Sequence, residues 1–143
     1  LQIIKMKLLK IIFVLVFLSN NLLAQTNYFS QGLTLFEKKD FEKAKFKFEQ
    51  DIVFNPKSEK SYLYLSKIFN KQKKRDLEKK NLNTVILLNP MNEEAVYNLA
   101  KLKLDESDFT GSKKLAKNLI SFCNDYCKKS KDLLLEIEKS LKK

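Results

Sequence analysis

Cys123 and Cys127 are the only cysteines in this 143-residue chain, and a thiol pair four residues apart is its one constellation with intrinsic redox or metal-binding chemistry. The Cys-x-x-x-Cys spacing differs from the Cys-x-x-Cys of dithiol oxidoreductases, and no strand pattern surrounds it. A structural disulfide, two buried free thiols, and redox or metal chemistry all remain open from the residues themselves. Other chemistry is excluded more firmly. With no histidine, there is no imidazole acid or base, no Ser-His or Cys-His nucleophile and no His metal ligand. Only two glycines occur, Gly32 and Gly111, too far apart to build a phosphate-cradling loop. The carboxylates Glu93/Glu94 and Asp105/Glu106/Asp108 fall at a helix start and in a turn, where capping and the helix dipole explain them better than acid/base catalysis or calcium binding. The expectation is a protein with no catalysis, cofactor or metal of its own.

The elements that must position any site are set by the two prolines. Asn55-Pro56 and Asn89-Pro90 lie 34 residues apart, behind the similar runs Ile52-Val53-Phe54 and Ile86-Leu87-Leu88. A fixed 34-residue period predicts a helix-turn-helix solenoid. In the first copy Tyr28 fills a large slot, Gly32 a small one, and Leu35 and Phe36 complete the stripe. After the turn Lys38-Lys39-Asp40, the residues Phe41, Ala44, Phe48 and Ile52 keep one helix face apolar. Asp40 is placed to cap that helix and Pro56 to end it.

Adding one period gives Tyr62, Leu65, Ser66 and Phe69, then Leu82, Val85 and Pro90; the small Ala44 slot becomes Glu78, which predicts looser packing of that pair. Adding another gives Val96, Leu99 and Ala100, then Asp108-Phe109, Ser112, Ala116 and Leu119, with Lys103 and Asn124 departing from the pattern. Period, proline, small slots and aromatic slots together resemble the tetratricopeptide repeat (TPR) over nearly all of residues 26–143. The resemblance implies an all-α, right-handed α-solenoid of about three repeats, at 25–58, 59–92 and 93–125. Residues 126–143, with Leu133, Leu134, Ile137 and Leu141 on one face and lysines on the others, are expected to cap the last apolar face.

Lys5, Lys7 and Lys10 precede the apolar run Ile11 to Leu18, followed by Ser19-Asn20-Asn21 and Leu22-Leu23-Ala24. This tripartite pattern predicts a secretory signal peptide over residues 1–24, with Met6 a more natural initiator than Leu1. Eight apolar residues are too few for a bilayer core, which needs about 20. The expected product, beginning near Gln25, is periplasmic or secreted, with membrane attachment arising only through an uncleaved leader. Residues 26–143 carry 25 basic and 17 acidic groups, a net charge of +8. The excess invites an anionic partner, but 27 of the 28 basic residues are Lys, and phosphate and base-edge recognition favours Arg forks. Nucleic acid is therefore disfavoured. The one dense cluster, Lys71, Lys73, Lys74 and Arg75 with Lys79 and Lys80, is either an anionic docking patch or a solvated edge.

The TPR resemblance implies that first helices line a concave groove for a peptide or helix. Carried over, the groove residues would be Phe29, Leu33 and Phe36, then Lys60, Leu63, Lys67 and Asn70, then Glu94, Tyr97, Lys101 and Leu104. Chaperone-binding members hold a C-terminal carboxylate with Lys and Asn on the first helix. Phe29 and Leu33 stand in those slots, so that clamp is absent. The expectation is an aromatic and aliphatic floor ringed by Lys, in a cell-envelope adaptor that binds a protein or peptide. The alternative is a polyanion-binding helical repeat acting through its Lys-rich face.

Overall fold

The computed structural model describes residues 28–142, so the tripartite leader, the start at Met6 and the cleavage point after Ala24 lie outside the described residues. Among the described residues seven helices follow one another: α1 (Tyr28–Glu37), α2 (Phe41–Phe54), α3 (Glu59–Lys71), α4 (Arg75–Leu88), α5 (Glu93–Asp105), α6 (Phe109–Ile120) and α7 (Cys127–Ser140). They form three antiparallel hairpins, α1/α2, α3/α4 and α5/α6, each packed on the next, with α7 closing the row against α6. No strand occurs among the described residues, and no helix of them is long and apolar enough to cross a membrane. The fold is an all-α helical-repeat solenoid.

The 34-residue period is written into the backbone. Lys39, Lys73 and Ser107, one period apart, all adopt left-handed φ (62°, 57° and 63°) at the turn within each hairpin. There the N–H of the following residue reaches back five positions, as Asp40 to the Leu35 carbonyl, Lys74 to Phe69 and Asp108 to Lys103. This closes each first helix by a Schellman-type stop. No glycine occupies these positions, so three side chains accept a conformation that is costly for L residues. Asp40 and Asp108 then cap α2 and α6, accepting from the N–H of Lys43 (3.4 Å) and Gly111 (2.9 Å). Lys74, at the same position before α4, supplies no side-chain cap.

Small residues recur where the helices cross. Gly32, Ser66 and Ala100 are buried in the first helices, and Ala44 and Ser112 in the second, with Glu78 the one large side chain of the series. Polar members of this set are internally bonded: the Ser66 hydroxyl donates to the Leu63 carbonyl and Ser112 to the Ala100 carbonyl, each at 2.7 Å. The expected loosening of the second hairpin does not occur. Glu78 is 5% exposed and Asn70 donates to its Oε1 at 3.0 Å, so the crossing is bridged by a hydrogen bond instead of being opened by volume. This hairpin packs as closely as its neighbours.

Repeats are stapled to one another by acids at a repeated position. Glu59 accepts from the side chains of Asn89 and Asn92 in the turn that follows its hairpin. Glu93, one period later, accepts from the N–H groups of Asn124, Asp125 and Tyr126 at 2.7, 3.0 and 2.9 Å. Desolvation is the largest single influence on Glu93 and pushes it up, but the three backbone bonds together hold it below the usual glutamate range. Its role is thus capping of the next turn, while Asn92 caps the helix that Glu93 begins. Asp51 is buried at the first such turn, accepting from Ser58 and Ser61. The cap follows its expected face at Leu133 and Ile137, but the helix stops at Ser140 and Leu141 is 54% exposed.

Candidate functional site

The concave side carries a groove of about 540 Å³. Its walls come from the first helices: Phe36 of α1; Ser66, Lys67, Asn70 and Lys71 of α3; Glu94, Tyr97, Asn98, Lys101, Leu102 and Asp105 of α5. Glu78 of α4 reaches it from behind. Ser66, Lys67, Asn70 and Lys71 of α3, and Glu94, Tyr97, Asn98, Lys101, Leu102 and Asp105 of α5, recur at the three- and four-residue spacing that helical periodicity gives one face.

Six of the carried-over residues, Phe36, Lys67, Asn70, Glu94, Tyr97 and Lys101, line this groove. Leu63 does not. It is 9% exposed in the core with Leu82, Val85, Ala95 and Leu99, because hairpin packing claims that face of α3. Phe29 and Phe36 lean on Tyr64 of the next repeat, ring centroids 5.7 and 5.1 Å away, and Phe29 also on Phe48 at 5.7 Å. Leu104 packs toward the cap cluster of Ala116, Leu133 and Ile137, and Leu33 is half-buried outside the groove lining. The apolar floor is therefore consumed by intramolecular packing. What faces the ligand space is mixed in charge and mostly polar, with Phe36 and Tyr97 as its aromatic parts.

Several of these groups already have partners. The Lys67 ammonium lies 2.9 Å from Glu94 and 4.6 Å over the Tyr64 ring, tying α3 to α5. Lys71 sits 5.3 Å over Phe41. Lys73, Lys74 and Arg75, at the α3/α4 turn, are exposed and outside the groove lining. The sulfurs of Cys123 and Cys127 are joined in a disulfide, Cα atoms 5.2 Å apart, across the turn that leads into α7. Within that turn Tyr126 packs on Tyr97, centroids 5.4 Å apart, so the bridged turn supports one wall of the groove. Among the described residues no acidic and thiol cluster could hold a metal ion.

Glu78 is one of the groove residues that the carried-over set lacked, with Ser66, Lys71, Asn98, Leu102 and Asp105, and its appearance in a small-residue slot was the signal. Desolvation by burial pushes its carboxyl above the ordinary value of 4.5, opposed by the Asn70 bond. Because the folded group holds its proton more tightly than the unfolded one, stability is lost as pH rises from the unfolded value through the folded value, and stays lost above it. Glu78→Gln keeps an acceptor for Asn70 and removes the charge. It is expected to stabilise the fold by on the order of 1 kcal/mol at neutral pH. That advantage should vanish below about pH 4, where both forms of Glu78 are protonated. Urea unfolding of both proteins at the two pH values checks the magnitude and the sign.

No family model and no curated protein matches the chain. Solved structures do. The first TPR of Spaghetti (RPAP3) bound to the HSP90 peptide SRMEEVD superposes with a TM-score of 0.74 at 13% identity, covering 83% of this chain and 94% of that one. The Yersinia enterocolitica type III secretion chaperone SycD, in complex with a peptide of the translocator YopD, gives 0.73 at 11% identity, covering 79% and 91%. The TPR2B domain of yeast Sti1, in its pHsp70 complex, gives 0.72 at 13%, covering 81% and 97%. This chain has the tetratricopeptide-repeat fold.

Proposed function

We propose that the protein is a non-catalytic adaptor that binds a peptide or helix of a protein partner in the concave groove. The observation that carries this reading is that first helices of all three hairpins converge on one concavity, with Asn98 and Lys101 held there beside Tyr97. The similar structures solved with bound peptides, Spaghetti (RPAP3) with an HSP90 peptide and SycD with a YopD peptide, support it. Phe29 and Leu33 in the carboxylate-clamp slots argue for another binding mode, one set by side chains along the peptide. Partner binding should survive about 0.5 M salt, where exposed charge pairs contribute little, and should fall in Tyr97→Ala, measured by titration calorimetry.

A second reading keeps the exposed Lys71, Lys73, Lys74 and Arg75 edge as a polyanion site. It requires binding that collapses in the same salt and on neutralising Lys73, Lys74 and Arg75, while remaining indifferent to Tyr97→Ala. We further propose that the adaptor works in the cell envelope, on the strength of the leader-like pattern from Lys5 to Ala24. N-terminal sequencing of extracytoplasmic protein should begin near Gln25; recovery of the whole chain from the cytoplasm would remove this assignment.

A further inference from the structure

A buried carboxylate facing a ligand space is costly unless something compensates it, and Glu78 is compensated only in part. Its Oε1 accepts from Asn70 at 3.0 Å; among the described residues no hydrogen bond or ion pair reaches Oε2. The side chain is nevertheless one of the groove-lining groups, although the residue is only 5% exposed. The charges around it do not supply the missing partner. Asp105, on the same side of the groove, and Glu106 both disfavour its ionised form, and Glu106 already engages Lys79 at 2.6 Å. Arg75 favours ionisation from one turn away on α4, but is exposed and forms no ion pair with it among the described residues. Of the lysines of the groove, Lys67 pairs with Glu94, Lys71 lies over the Phe41 ring, and Lys101, exposed on α5, forms no ion pair with Glu78 among the described residues.

We infer that the Glu78–Asp105 side of the groove receives a basic side chain, Lys or Arg, of the bound peptide. This rests on the groove being the peptide site and adds the chemistry it selects. A guanidinium or ammonium donates to Glu78 Oε2 and offsets the repulsion between Glu78 and Asp105. Asn70, already bonded to Oε1, holds the carboxylate in place while that happens. The polarity is the opposite of a clamp for an acidic terminus, in keeping with Phe29 and Leu33 in the clamp slots. An adjacent aliphatic or aromatic residue of the peptide finds Tyr97 and Phe36 as neighbours.

The test is selection of a displayed random heptapeptide library on residues 26–143, followed by anisotropy titration of the selected peptides. Selected sequences should be enriched in Arg or Lys at one position. Replacing that Arg by neutral citrulline, or Glu78 by Gln in the protein, should each weaken binding about tenfold or more, and the two changes together should cost little beyond either alone. Asp105→Asn, at an exposed position, provides a second variant and should weaken the same peptides. Peptides that bind in the groove, lose affinity in Tyr97→Ala, yet show no basic preference and no response to Glu78→Gln would overturn the cation site and leave the adaptor reading standing. Absence of any groove-dependent peptide would overturn both.

Discussion

Phe48→Ala is expected to destabilise the protein by about 3–5 kcal/mol, the range for emptying a buried aromatic site. Phe48 is fully buried in the first hairpin, with Tyr64 stacked at 5.2 Å and Phe29 tilted at 5.7 Å. Its ring also occupies the space above Gly32, where an added Cβ would stand 2.7 Å from Cε1 and 2.8 Å from Cδ1. The ring cannot retreat, because Phe29 and Tyr64 close its other sides. Gly32→Ala alone should therefore cost about 1–3 kcal/mol by overpacking. In the Phe48→Ala background the clash is gone, and the same change should become stabilising by about 0.5–1 kcal/mol, since alanine is the better helix former. Urea unfolding followed by circular dichroism completes the cycle. Additive effects would mean that Gly32 and Phe48 do not share a slot.

Ile137→Ala should cost about 2–5 kcal/mol, and the loss should be local. Ile137 is fully buried with Leu133, Ala100 and Ala116, on the helix that closes the outer side of the last hairpin. In a row of repeats each unit is held by its neighbours alone, so weakening α7 strips protection from α7 and then α6 before it reaches α1. Hydrogen exchange should show faster amide exchange in residues 127–140, with α1–α3 unchanged under conditions where the fold persists. Leu135→Ala is the control: it sits on the same helix but is 56% exposed, and its effect should stay within about 0.5 kcal/mol. A global loss of protection in Ile137→Ala would show a single cooperative core instead of a capped array.

The repeat was legible in the residues themselves because a solenoid is built from local and nearest-neighbour contacts. Pro56 and Pro90 end α2 and α4, Gly32, Ser66 and Ala100 mark the crossings, and Asp40 and Asp108 cap, each for reasons that operate within one period. The seven helices of the described residues, their order and the closing role of α7 follow from that. The share-out of side chains between core and groove did not. Whether Leu63 or Phe29 faces a partner or a neighbouring helix depends on the rotation of each first helix against the next hairpin, a matter of packing shape that periodicity leaves open. Tertiary packing sent Leu63 into the core and leaned Phe29 on Tyr64 and Phe48, leaving a polar groove where an apolar floor was expected. It also turned Glu78 from a misfit in a small slot into a buried, half-satisfied carboxylate at the groove, because Asn70 stands opposite it across the hairpin. Residue type told which groups could carry charge or pack; only the assembled helices decided which of them were spent on neighbours and which were left facing the groove.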